Sequence, residues 1–170
     1  MGRDQTADRL LDNPVVDWRE ILDIHTQQTV MRMHDQPVVL CIQDATELDF
    51  TLQPGMVGLG RLSDETQHGM SMHPTLAVTP AGTALRVLDA WMWARKPKNE
   101  FDVKESARWV EGYEILADLA ETIPETRLVY ADDWEGNFLA LMDAAAQHGH
   151  PADWRVRAQH NRHLPDGKKL

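Results

Sequence analysis

The sequence predicts an α/β fold, a layered sheet with helices packed on it. Short strand candidates, the apolar run Val38-Val39-Leu40-Cys41-Ile42 with its β-branched residues and Arg127-Leu128-Val129-Tyr130-Ala131, alternate along the chain with segments whose apolar residues recur at helical spacing. A hairpin-type turn, Thr79-Pro80-Ala81-Gly82, joins two further strand candidates. The length, 170 residues, is that of one ordinary domain, so these elements are expected to share one core.

Asn13-Pro14 breaks the chain ahead of the first helix. Asp17, with Glu20 three residues on, has the signature of a capping box, in which side-chain oxygens satisfy the first helix amides. A helix over about 18–33 follows, and His34-Asp35-Gln36-Pro37 ends it, because proline disfavours helical geometry in the residue before it. The continuous run Val38 to Ile42 suits a strand covered on both faces and stops at Gln43-Asp44. Thr51 to Gly69 is rich in Gly, Pro and polar residues and is expected to be loop; Gly55, Gly58 and Gly60 have neither dinucleotide nor phosphate-loop spacing.

Strands over about 70–78 and 83–93 flank the hairpin turn, where Pro80 presets φ and Gly82 closes the turn. Asp102 to Glu105 repeats the capping signature. Trp109, Tyr113, Leu116 and Ala120 then follow at spacings of four, three and four, one face of a helix that Pro124 closes. After Arg127 to Ala131 and Asp132-Asp133, a helix over about 135–147 is expected, with Leu139, Met142 and Ala146 on one side, Gly149 as a left-handed cap and Pro151 beyond it. Trp154 to Ala158 reads as a last short strand. The tail from His160 to Leu170 is polar, lacks periodicity and is expected to fray.

Charge narrows the functions. Asp and Glu number 27 against 17 Lys and Arg, a formal net charge of -10, whereas a dedicated nucleic-acid binder usually carries the opposite sign. No apolar run approaches a membrane span. The single cysteine, Cys41, cannot form an intramolecular disulfide, and the start of the chain lacks a signal peptide's apolar stretch, so a cytoplasmic location is expected.

Two carboxylates stand out by position. Asp44 and Asp133 each lie just past the C-terminal end of an apolar strand, where α/β sheets place their sites. If the strands are neighbours, the two carboxylates converge and are stable together when a cation such as Mg²⁺ or Mn²⁺ lies between them. From spacing alone, the competing reading is that each is a turn or capping aspartate. His148, His150, His160 and His163 read as solvated, because they occupy a helix end and a polar tail without a cysteine partner. Trp91 and Trp93 alternate on one strand face and read as core packing ahead of base stacking.

The string Cys41-Ile42-Gln43-Asp44-Ala45-Thr46-Glu47-Leu48-Asp49-Phe50 resembles the first catalytic block of DDE transposases of the insertion-sequence-four group, relatives of the transposon-five enzyme. Further similar blocks follow in the family's order. His73 to Val78 with Leu88 to Arg95 is similar to its hairpin, Lys104 to Trp109 to its helix start, Asp133-Trp134-Glu135-Gly136-Asn137 to its second catalytic block, and Trp154 to Arg162 to the strand after it. The resemblance covers most of residues 9–164.

The resemblance implies an RNase H-like mixed sheet flanked by helices, whose first and fourth strands are neighbours and present Asp44 and Asp133 to Mg²⁺ or Mn²⁺. It divides the chain into an N-terminal helical segment (1–36), a partial RNase H-like core (37–164) and a frayed tail (165–170). The implied activity is metal-dependent DNA cleavage and strand transfer in transposition. Transposon-end DNA is the implied partner, with full-length transposase as a second one, and no small-molecule substrate or membrane is expected. Asp132 and Asp133 compete for the second catalytic position; Asp133 is preferred because Glu135 then keeps the family spacing.

The family completes its site with a glutamate in a Tyr, Arg, Glu, Lys block on a helix further downstream, and no such block occurs within these 170 residues. A chain inactive on its own is therefore expected. Trp134 stands where the family usually has arginine, Asn137 where it has aspartate, Ala45 where it has threonine, and Arg86 where it often has glycine. Arg95, Lys96, Lys98, Lys104 and Arg108 form the densest basic stretch and are the candidate DNA contacts, diluted by Glu100, Asp102 and Glu105. Two alternatives stand beside the transposase-core reading: a non-catalytic regulator that pairs with full-length transposase or DNA ends, and a stand-alone RNase H-like nuclease whose third carboxylate is local, such as Asp49 or Glu105.

Overall fold

Helix α1 (Trp18–His34) begins at Asp17, whose extended backbone (φ −89°, ψ 126°) and carboxylate, accepting from the Arg19 N–H at 2.9 Å, make it the expected N-cap. The computed structural model describes residues 9, 13–53, 55–96, 105–133, 138–157 and 168. The capping signature at Asp102, the second-block residues 134–137 and the tail histidines His160 and His163 lie outside them. Among the described residues three helices and seven strands follow one another as α1, β1 (Val38–Gln43), β2 (Thr46–Asp49), β3 (Gly60–Arg61), β4 (His68–Val78), β5 (Ala84–Trp93), α2 (Glu105–Thr122), β6 (Arg127–Asp132), α3 (Phe138–Gln147) and β7 (Asp153–Val156). The α/β class is as expected, and no helix among these residues is long and apolar enough to cross a membrane.

The seven strands form one open mixed sheet. β1 pairs with β6 in parallel, β6 with β7 in parallel, and β1 with β4 antiparallel. β4 is longer than β1, so β1 lines its C-terminal half (Gln43↔Thr75 to Leu40↔Val78) and β2 continues along the N-terminal half (Thr46↔Met72 to Asp49↔Gly69). β5 pairs with the same β4 residues and therefore runs along the other edge, which makes the central order β5-β4-β1-β6-β7. β3 corrects the expectation that Thr51 to Gly69 is all loop, and β2 ahead of it is a strand the sequence did not announce. Thr46-Glu47-Leu48-Asp49 is too polar to announce a strand; the length of β4 beyond β1 supplies its partner, and Glu47 Oε1 accepts from the Ser63 N–H and hydroxyl, both at 2.8 Å.

The core lies on one face of this sheet. Val39 and Cys41 of β1, Ala77 of β4, Leu128 and Tyr130 of β6 meet Met33 of α1, Tyr113 and Leu116 of α2, and Leu141 and Ala145 of α3. The stripe expected on α2 is buried, with Trp109 at 3%, Tyr113 at 0% and Leu116 at 1% exposure. On α3 the expectation is reversed: Leu141, Ala144 and Ala145 face the core, whereas Leu139 and Met142 are exposed. The run Phe138 to Ala146 is apolar nearly all round, so periodicity did not select a face, and the small alanines let α3 approach the sheet closely. The idea of β1 covered on both faces also fails among the described residues. Its burial alternates strictly, and Ile42 on the far face is 38% exposed.

α1 belongs to the same core through Met33 and is tied to β5 by two threonines. Thr29 donates to the Val87 carbonyl at 2.9 Å and Thr26 to the Leu88 carbonyl at 2.7 Å, at the register shift where β5 bulges against Thr75-Leu76. A second shift near Ala77-Val78 puts exposed Arg86 at φ 120°, a region L side chains avoid. Arg86→Gly is therefore expected to stabilise the protein by about 1 kcal/mol and raise Tm by about 2–4 °C in thermal unfolding; a lower Tm would show that the arginine is not strained there.

Candidate functional site

β1 and β6 end together. Their parallel register runs from Val38↔Arg127 to Gln43↔Asp132, so Asp44 and Asp133 each directly follow the last residue of two paired, neighbouring strands. Asp132 instead stands level with Gln43 on the helix-covered face and is buried. Asp44 is exposed, and its Oδ1 accepts from the Ala45 N–H at 2.9 Å, which orients the carboxylate and leaves Oδ2 for a ligand. Asp133 is half-buried. Carboxylate oxygens are the hard donors that a divalent cation of the Mg²⁺ or Mn²⁺ type takes, with water filling the rest of its shell. Among the described residues no group of three or more His, Cys, Asp or Glu is arranged to hold a metal ion.

One residue inside these strand ends, a polar row crosses the helix-covered face. Thr75, Gln43 and Asp132 are register partners on β4, β1 and β6, and His73 and Ser71 continue it along β4; all five are buried. The Tyr130 hydroxyl donates to Gln43 Oε1 at 2.7 Å and lies 3.1 Å from the Trp109 carbonyl of α2. Burial pushes the Tyr130 phenol above its ordinary pKa, the nearby Asp132 adding to the shift, so it remains a donor across the physiological range. The His73 ring packs between Trp93 and Trp109, with centroids 4.9 and 4.8 Å away. The Ser71 and Thr75 hydroxyls have no hydrogen-bond partner among the described residues. Gly112 brings α2 against this row, because a Cβ there would lie 2.7 Å from Gln43 Nε2 and 2.8 Å from its Cδ.

Among the described residues the basic stretch does not form one open face. Arg108 donates to Glu111 Oε2 at 2.7 Å, its guanidinium lies 3.8 Å from the Trp91 ring centroid, and its side chain is 12% exposed. Among the described residues this candidate DNA contact is held in packing. Arg95 faces Glu47 at 3.7 Å, Lys96 is exposed, and Lys98 and Lys104 lie outside the described residues. Trp91 and Trp93 pack towards α2 and His73. His148 and His150 are exposed, as solvated histidines would be. Burial pushes the Cys41 thiol up to about 12, which leaves it un-ionised and unsuited to nucleophilic chemistry.

Sequence reading missed Gln43, Tyr130 and Thr75 as parts of this region, and took His73 only as part of a hairpin. The available signal was the period-two alternation Ser71, His73, Thr75, which places polar side chains on the face that Ala77 shows to be buried. No protein-family profile matches the chain, and no curated protein matches it at a significant level.

Proposed function

We propose that this chain is the catalytic-core part of a DDE transposase of the insertion-sequence-four group, with an RNase H-like fold and a metal site built on Asp44 and Asp133. The observation that carries the reading is the parallel pairing of β1 with β6, whose last paired residues, Gln43 and Asp132, directly precede Asp44 and Asp133. The fold agrees with it. Leaving aside the short β2 and β3, β6 is the fourth strand and neighbours the first, as the resemblance implies. The positive φ of Arg86, where that family often has glycine, agrees as well.

In this reading Asp44 and Asp133 supply oxygen ligands, and the Ala45 N–H holds the Asp44 carboxylate in orientation. When bound, divalent ions of this kind supply Lewis-acid activation of an attacking hydroxyl and neutralise charge on a phosphodiester.

Calorimetric titration with Mn²⁺ tests the proposal. A weak site is expected, with Kd on the order of 10⁻⁴ M or weaker, because two carboxylates leave much of the shell to water. Asp44→Asn and Asp133→Asn should each abolish it. Binding that survives in the double variant would place the metal elsewhere and overturn the reading.

A further inference from the structure

We infer that Gln43 and Tyr130 are positioning residues for the Asp44 and Asp133 carboxylate pair: through their hydrogen bond, seated against α2, they set the relation of the two strand ends without touching the ion. The inference rests on the metal reading above and names residues outside it. Gln43 directly precedes Asp44, and Tyr130 lies three residues before Asp133 on the neighbouring strand. Their side chains meet at 2.7 Å, so the contact links β1 to β6 at the end where the carboxylates emerge. The Trp109 carbonyl, 3.1 Å from the same hydroxyl, adds α2 as a third anchor.

The burial of the contact makes it stiff. Gln43 is 2% exposed and Tyr130 0%, so neither side chain can exchange its partner for water. Gly112 closes the arrangement from the helix side, since any side chain there would press on the Gln43 amide. Ligands held by hydrogen-bonded neighbours bind metal more tightly than free ones, and losing such a neighbour typically weakens affinity ten- to a hundredfold. Here the support reaches the ligands through one and three residues of backbone, so about tenfold is expected.

The test is Mn²⁺ calorimetry on the full chain, run well below each variant's Tm, for wild type, Tyr130→Phe, Gln43→Met and Tyr113→Phe. Tyr113→Phe is the control for general softening: it removes another buried tyrosine hydrogen bond, 2.9 Å to the Ala152 carbonyl, and keeps the ring that meets the Tyr130 ring edge-on at 5.8 Å between centroids. The expected result is Mn²⁺ affinity about tenfold weaker in Tyr130→Phe and Gln43→Met and unchanged in Tyr113→Phe, although all three lower Tm. Wild-type affinity in both Tyr130→Phe and Gln43→Met would overturn the inference and leave the metal site standing. An equal loss in Tyr113→Phe would also overturn it, because the effect would then be general. No binding by the wild type would overturn the metal reading and this inference together. If Tyr130→Phe fails to fold, Gln43→Met, close to glutamine in shape, decides by itself.

Discussion

Gly69→Ala is expected to destabilise the protein by about 3 kcal/mol, lowering Tm by about 6–12 °C. Gly69 lies in β4 with β2 on one side (Asp49) and β3 on the other (Gly60). A Cβ there would run into the Leu48 carbonyl oxygen, with the Leu48 carbonyl carbon and Leu62 Cδ1 both at 3.0 Å. The obstacle is mainly backbone, which cannot turn aside as a flexible side chain can, so β2 must be pushed off β4. Gly55 is the matched control: nothing lies within 4 Å of its would-be Cβ, so Gly55→Ala should change stability by no more than about 0.5 kcal/mol. Equal Tm for the two variants in thermal unfolding would mean that β2 does not pair with β4 as described.

The chain by itself is expected to leave labelled transposon-end DNA uncut in Mg²⁺ or Mn²⁺. Three features act in the same direction. Its net charge of -10 opposes association with DNA. Arg108, one of the five basic candidates, is held by Glu111 and Trp91. The sequence carries no Tyr, Arg, Glu, Lys block to complete the two-carboxylate site. Each preorganised charge removed from a phosphoryl-transfer site costs on the order of 10²–10³ in rate, and together these losses should take turnover below detection. Asp44→Ala serves as the contamination control. Metal-dependent nicking by the wild type that disappears in this variant would show that a local carboxylate completes the site, and would favour the stand-alone nuclease.

What the sequence showed well was whatever local patterning decides. The strand candidates Val38 to Ile42 and Arg127 to Ala131 became β1 and β6, the turn at Thr79 to Gly82 joined β4 to β5 with Gly82 at φ 87°, and Gly149 took the left-handed cap at φ 74°. It showed poorly what only tertiary pairing decides. β2 exists because β4 outruns β1, which Thr46 to Asp49 cannot signal, and α3 is too uniformly apolar to reveal which side it buries. The candidate carboxylates were legible because each follows an apolar run. The Gln43, Tyr130 and Trp109 contact beneath them was not, because it joins residues up to 87 positions apart. Arg108 read as a basic surface residue for the same reason, since the Trp91 ring that holds it comes from another element.

The central claim is that Asp44 and Asp133 bind one metal site together, and paramagnetic broadening by Mn²⁺ in amide NMR spectra tests it most directly. At substoichiometric Mn²⁺ the signals of Gln43 to Ala45 and of Asp132 and Asp133 should broaden first and in parallel, because the β1–β6 register stands these segments side by side. Asp44→Asn should restore both sets at once, including the signals on β6 that the substitution does not touch. Broadening confined to one strand end, or centred on another acidic place such as Asp49 and Asp64 while Asp44 and Asp133 stay sharp, would contradict the account.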